Sequence, residues 1–262
     1  MLQIARSAIK SVDPNARIVL GGLAYERHPP CFNMDFLDEV LKAGGAAYLD
    51  VINVHYFSSQ NPTWSSHGWD IAGKVDAIRE IMSRNGVNKP VFVTEVSWTS
   101  SPADSPSILE EQARYVPKVL ARGLAIDLYA MSWFMLSEWN VAGYPYGLLD
   151  KNLRPRPAYQ VYQTAAAEFG GAGSVRPLPP SEVGAESGVE GYAFDVQGGE
   201  RWLLWAENYA IWPTPSPIQI RLPCRAYEAR DKLGQSIPLR RDGTPAELML
   251  DDSPIYVHLR SH

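Results

Sequence analysis

The sequence has little cysteine. Cys31 and Cys224 are its two thiols, too far apart to frame a disulfide scaffold or a metal site, and both read as structural. It also has no long apolar run. A membrane span needs about 18 consecutive apolar residues, whereas the stretch from Leu128 to Leu136 is shorter and is broken by Ser132. It has no excess of positive charge: the net charge is -5 with Lys and Arg scattered, so no basic footprint for nucleic acid appears. At the amino terminus no basic region leads into an apolar one, so no signal peptide is read there. The chain instead opens in an amphipathic segment with Leu2, Ala5 and Ile9 on one face, without a cap before it, like a helix entered part-way. Nor is there a phosphate-binding glycine loop, because Gly21-Gly22 has no third glycine at the required spacing.

What remains is an ordinary globular composition, 45% apolar, 11% aromatic and 20% charged. A chain of 262 residues can bury roughly three quarters of its unfolded surface, as one domain or two. Four apolar runs stand out: Arg17 to Leu23, Asp50 to Phe57, Pro90 to Trp98 and Asp127 to Met135, starting 33 to 40 residues apart. The second and third are rich in β-branched and aromatic residues, as buried parallel strands are. Between them lie helical patterns. Phe36, Val40 and Leu41 precede Gly44-Gly45; Ile71, Val75, Ile78 and Met82 precede Gly86; Ile108, Tyr115, Val116, Val119 and Leu120 precede Gly123. Each glycine reads as a helix C-cap. A last helix, Ala158 to Phe169, follows Pro157 and precedes Gly170-Gly171. Such alternation means parallel βαβ units, and the period alone leaves both an open doubly wound sheet and a closed barrel standing.

The composition shifts after Gly170. Residues 171–190 are rich in Gly, Pro, Ser and Glu and read as a linker. Beyond them come short alternating runs, Gly191 to Val196, Arg201 to Ala206, Pro217 to Leu222, Arg225 to Ala229, Ala246 to Leu250 and Pro254 to Leu259, with turn signals at Gln197-Gly-Gly and Asp242-Gly. This is an all-β, sandwich-like module.

In a parallel βα architecture the functional groups collect at the carboxyl ends of the strands. The second run closes on Asn53, His55 and Tyr56, the third on Thr94, Glu95 and Trp98, the fourth on Ser132 and Trp133. Glu95 is the sharpest signal, since a carboxylate at the end of an apolar strand is costly to bury unless it is paired or functional. Taken singly, His55 reads as a core histidine, and Trp98 and Trp133 as packing residues. Together, a carboxylate, an imidazole, a phenol and indole faces are what a sugar site needs, because aromatic faces stack on pyranose C–H faces and carboxylates serve as nucleophile or acid.

These segments resemble the clan A glycoside hydrolases. Val91-Phe-Val-Thr-Glu-Val-Ser-Trp98 looks like their seventh strand, which implies that Glu95 is the nucleophile. Asp50-Val-Ile-Asn-Val-His-Tyr56 looks like the sixth, which implies that His55 and Tyr56 flank it. Asp127 to Trp133 looks like the eighth, whose Trp floors the sugar subsite, and Trp98 joins the implied substrate contacts. Asp13 to Gly22 is similar to the turn and fifth strand, and Gly147 to Tyr159 to the closing stretch before the last helix. The β tail is similar to the accessory sandwich of family 39-like members.

The expected architecture is α/β, a partial (β/α)8 barrel of strands five to eight over residues 1–170, a linker over 171–190 and a β-sandwich accessory domain over 191–262. Four units of about 37 residues fill about 150 of the roughly 250 that a barrel takes. The family's acid/base, a glutamate after asparagine at the end of strand four, has no counterpart near the start of the chain; Glu26 and Glu138 read as solvated loop carboxylates. The implied partner is a carbohydrate hydrolysed by a retaining mechanism, with no cofactor, metal, nucleic acid or membrane. Exposed barrel edges invite self-association. Two rival readings stay open, a non-catalytic carbohydrate-binding protein or inactive fragment, and an open α/β protein in which Glu95 is structural.

Overall fold

In the computed structural model the described residues are 1–24, 35–57, 67–98, 105–138, 145–207, 215–239 and 245–260; Glu26, Cys31 and the Asp242-Gly turn lie outside them. The chain is mixed α/β and divides into two compact units, residues 1–97 with 126–135, and residues 98–125 with 136–262.

The first unit holds α1 (Leu2–Val12), α2 (Phe36–Lys42), β1 (Ile52–Phe57), α3 (Asp70–Arg84), β2 (Val91–Ser97) and β3 (Ala130–Trp133). The three strands form a parallel sheet in the order β1-β2-β3. The expected first strand runs parallel beside β1 through bridges from Val19 to Val51 and from Leu23 to Val54 rather than as an unbroken ladder. Backbone bonds from Leu20 to Val51 and from His55 to Leu23 hold it there. Spatial order therefore follows chain order across four parallel segments.

Two of the expected glycine caps hold. Gly44, just past α2, and Gly86, two residues past α3, have φ of 80° and 65°, the left-handed region that a side chain disfavours. In α3 the periodic residues Ile71, Val75, Ile78 and Met82 are buried, as the pattern requires. On α1 the outcome differs, because no residue of that helix is buried, and Ile4, Ile9 and Val12 are exposed. Its inward hold is polar instead, an ion pair from Arg6 to Asp50 at 3.2 Å.

The second unit holds α4 (Pro106–Ala125), α5 (Pro157–Phe169) and eight strands: β4 (Ser174–Pro177), β5 (Val189–Val196), β6 (Gly199–Ala206), β7 (Ile218–Arg221), β8 (Ala226–Asp231), β9 (Ser236–Ile237), β10 (Glu247–Leu250) and β11 (Ile255–Leu259). Six of them make an antiparallel sheet, β4-β5-β6-β11-β8-β9, and β7 pairs with β10. Gly123 does not cap α4. The helix runs on to Ala125 with Gly123 buried inside it, tertiary packing having outweighed the roughly 1 kcal/mol that an interior glycine costs. The stretch 171–190, read as a linker, carries β4 and a 3₁₀ turn at Pro180–Val183, because Ser174 to Pro177 pair with Tyr192 to Asp195.

Both faces of the large sheet are covered. Trp202, Leu204 and Ala206 of β6 join one core with Ile220 of β7 and Leu250 of β10. Leu203 and Trp205, pointing the other way, join a second core with Ala121 of α4 and with Ala165 and Phe169 of α5. This is why Trp202-Leu-Leu-Trp-Ala206 is an unbroken apolar run rather than an alternating one.

Candidate active site

The chemistry-bearing side chains of the first unit meet where β1 and β2 end. A β-bulge decides which of them face each other. Pairing runs Asn53 with Phe92 and Val54 with Val93, then jumps to His55 with Glu95, leaving Thr94 as the extra residue. The buried Asn53 stabilises the jump, since its Oδ1 accepts from the Thr94 hydroxyl at 2.7 Å and from the Thr94 amide at 3.4 Å. The side chain replaces the ladder bond that the bulge removes. Glu95 is thereby re-aimed to stand opposite His55, with His55 Nδ1 3.2 Å from Glu95 Oε2. Both side chains keep partial access to solvent, 23% and 30%.

Burial pushes the His55 pKa below its ordinary value; the Glu95 charge opposes this, and the Lys74 ammonium adds to it. A neutral imidazole has one N–H. Nδ1 is the ring nitrogen that faces the Glu95 carboxylate, so a neutral ring stands against it without the charge of a cation.

The other expected residues fare differently. Tyr56 is fully buried, on the opposite face of β1 from His55, with the Lys74 amine 5.8 Å from its ring centre. Trp133 ends β3 in register with Val96, one residue past Glu95, and is half-buried. Next to it Phe134 meets Phe57 edge-to-face at 6.0 Å, and the Phe134–Met135 peptide is cis. Trp98 belongs to the second unit, where its ring packs on Tyr115 at 5.2 Å and its carbonyl accepts from Gln112 at 3.1 Å. Glu138, read as a solvated loop carboxylate, is instead largely buried. Its Oε2 accepts from Arg156 and from the Gly147 amide, each at 2.8 Å.

Sequence reading missed two residues that touch His55. Gly22 is one: a Cβ there would fall 1.9 Å from His55 Nε2, so the imidazole stands where any side chain would be. Lys74 of α3 is the other. It is fully buried and its amine donates to the carbonyls of His55 and Ala24. A signal for it existed, since Lys74 falls on the buried stripe set by Ile71, Val75 and Ile78, where a charge is costly unless bonded. Among the described residues no cluster of three His, Cys, Asp or Glu is placed to hold a metal, and no helix is long and apolar enough to cross a membrane.

No protein-family model matches the sequence, and no curated protein is significantly similar to it. Solved structures are. A family 39 glycoside hydrolase from Bacteroides cellulosilyticus WH2 superposes with a TM-score of 0.72 at 18% identity, over 99% of this chain and 54% of that one. A family 39 enzyme from Xanthomonas axonopodis pv. citri gives 0.62 at 15% identity, over 100% and 63%. A family 39 β-xylosidase from Caulobacter crescentus gives 0.59 at 18%, over 99% and 60%. The chain thus spans somewhat more than half the length of these proteins, and in its fold it is similar to the clan A glycoside hydrolases, family 39 among them.

Proposed function

We propose that this chain is the nucleophile-bearing portion of a retaining glycoside hydrolase acting on O-glycosidic bonds. One observation carries the reading: a bulge at the carboxyl ends of two parallel strands sets Glu95 opposite a histidine, with His55 Nδ1 3.2 Å from a carboxylate oxygen, in a chain whose fold resembles family 39 enzymes. In the first step a Glu95 oxygen attacks the anomeric carbon, and the leaving group departs with the electron pair of the broken C–O bond. Water then cleaves the resulting ester. Trp133 is assigned to stacking on the sugar ring. Trp98 remains a proposed substrate contact at the end of the same strand run. The acid/base is assigned to no residue of the chain, since Glu138 is committed to Arg156. In this reading residues 1–170 are the carboxyl-terminal part of a barrel, supported by four parallel segments in chain order. Residues 191–262 are its accessory β-domain, extended backward by β4.

The test uses a substrate that needs no acid. A 2-deoxy-2-fluoro-β-xyloside of dinitrophenol expels a stable phenolate unaided, and the fluorine slows the second step. Xylose is the first sugar to try because the Caulobacter crescentus neighbour is a β-xylosidase. The expected result is one glycosyl adduct by mass spectrometry, mapped to Glu95 and lost in Glu95→Gln. An adduct elsewhere, or none with this or the corresponding glucoside, refutes the assignment.

A further inference from the structure

His55 can orient Glu95 only if something fixes His55, and the residues that do so lie outside the set that would touch a sugar. Two constraints act on the ring from different sides. Gly22, in the neighbouring parallel segment, leaves free the space that the Nε2 edge fills, and no other amino acid could do so without moving the ring. The Lys74 ammonium rises from α3 to the end of the strands and joins the carbonyl of His55 on β1 to that of Ala24, two residues past Gly22. At their carboxyl ends these two backbones are joined by bonds from the Leu23 amide to Asn53 and from the His55 amide to Leu23, at 3.2 and 2.9 Å, and the ammonium adds a tie just beyond the last of them. Charge-assisted bonds of this kind are roughly twice as strong as neutral ones. An amine with no solvent exposure has no water to which it could turn instead.

We propose that Lys74 and Gly22 are positioning residues for the Glu95 carboxylate: Lys74 ties the two strand ends that carry His55 and Ala24, Gly22 provides the recess for the imidazole, and together they keep His55 Nδ1–H pointed at Glu95. The inference rests on the reading of Glu95 as nucleophile only for its consequence in catalysis; the positioning itself is a statement about His55. The charge of Lys74 serves the same end, because it discourages a proton on Nε2 and so preserves a neutral, singly donating ring.

The experiment compares wild type, Gly22→Ala and Lys74→Met, each checked for cooperative unfolding, by two readouts. The first is nitrogen-15 NMR of the histidine rings as a function of pH, with the His55 signal assigned by its loss in His55→Gln. Wild type is expected to show a neutral ring protonated at Nδ1. Gly22→Ala is expected to lose that signature, and Lys74→Met to raise the titration midpoint of His55. The second readout is the rate of adduct formation with the fluoroxyloside, expected to fall about tenfold to a hundredfold in both variants, as a misplacement near 1 Å does. If both folded variants keep the wild-type His55 signature and midpoint, the proposal is overturned, whatever the labelling rates. If wild type gives no adduct while His55 shifts as described, the positioning stands and the nucleophile assignment falls. Should one variant fail to fold, the other decides alone.

Discussion

Replacing Arg122 with Met should cost the second unit much of its stability, and the size of the loss follows from what the guanidinium holds. Arg122 lies on α4, 5% exposed, and forks onto Glu190 of β5 with Nε to Oε1 at 2.8 Å and Nη2 to Oε2 at 2.7 Å. Nη2 also reaches Glu207 just beyond β6 at 2.9 Å, and the guanidinium carbon is 5.4 Å from the centre of the Trp205 ring. Without it Glu190 keeps the Tyr192 hydroxyl at 2.8 Å and Glu207 the Trp205 indole at 3.0 Å, both neutral donors, with the Lys118 amine close enough to act on both charges. Breaking a buried pair by removing one partner typically costs about 3–5 kcal/mol, and for a unit of this size each kcal/mol lowers Tm by about 2–4 °C. Thermal unfolding at pH 7 should therefore show a fall of about 6–20 °C. Arg122→Lys, which keeps the charge but cannot fork, should fall between. A loss below about 1 kcal/mol, the value of an exposed pair, would refute the claim that this network is structural.

The remaining expectations concern single groups. His55 has a folded pKa below its ordinary value, owing first to burial. Below about pH 6.5 the unfolded chain therefore binds more protons than the folded one, and stability is lost as the pH falls from there; unfolding from pH 8 to 5 should show a smaller loss in His55→Gln than in wild type. Burial pushes the Lys118 amine down to about 8, so trace acetylation of Lys118 should titrate near pH 8 rather than near pH 10, and a midpoint above 10 would contradict it. Phe194 is fully buried and stacks on Phe169 with ring centres 4.4 Å apart; Phe194→Ala should cost about 3–5 kcal/mol in urea unfolding, and a cost under about 1 kcal/mol would mean that the core refills.

How far the sequence can be read depends on the range of the interaction. Periodicity reports one face of one element, and it placed α3, α5, β1, β2 and the long strands of the tail where they are found. Glycine reports a local φ, and it marked the ends of α2 and α3. It misled at Gly123, where the burial of α4 against the β sheet outweighs glycine's own preference. Short strands with one partner and few apolar residues leave little pattern, which is why β4 was hidden in a stretch of Gly, Pro and Ser.

The candidate site divides in the same way. Glu95 and His55 were legible from the sequence as a polar pair at strand ends, because strand direction and alternation are local properties. Three features were settled only by the tertiary structure. Whether the two face each other turns on a register jump at Thr94 that depends on Asn53 of the neighbouring strand. Lys74 enters the surroundings of His55 because α3 brings its amine to the His55 carbonyl and over the ring of the buried Tyr56. The recess at Gly22 exists because a chain segment 33 residues upstream comes to lie against the imidazole. The sequence by itself determined the elements and the chemistry that they carry; which groups touch depends on contacts between residues far apart in the chain, and those are made only when the strands pair and the helices pack on them.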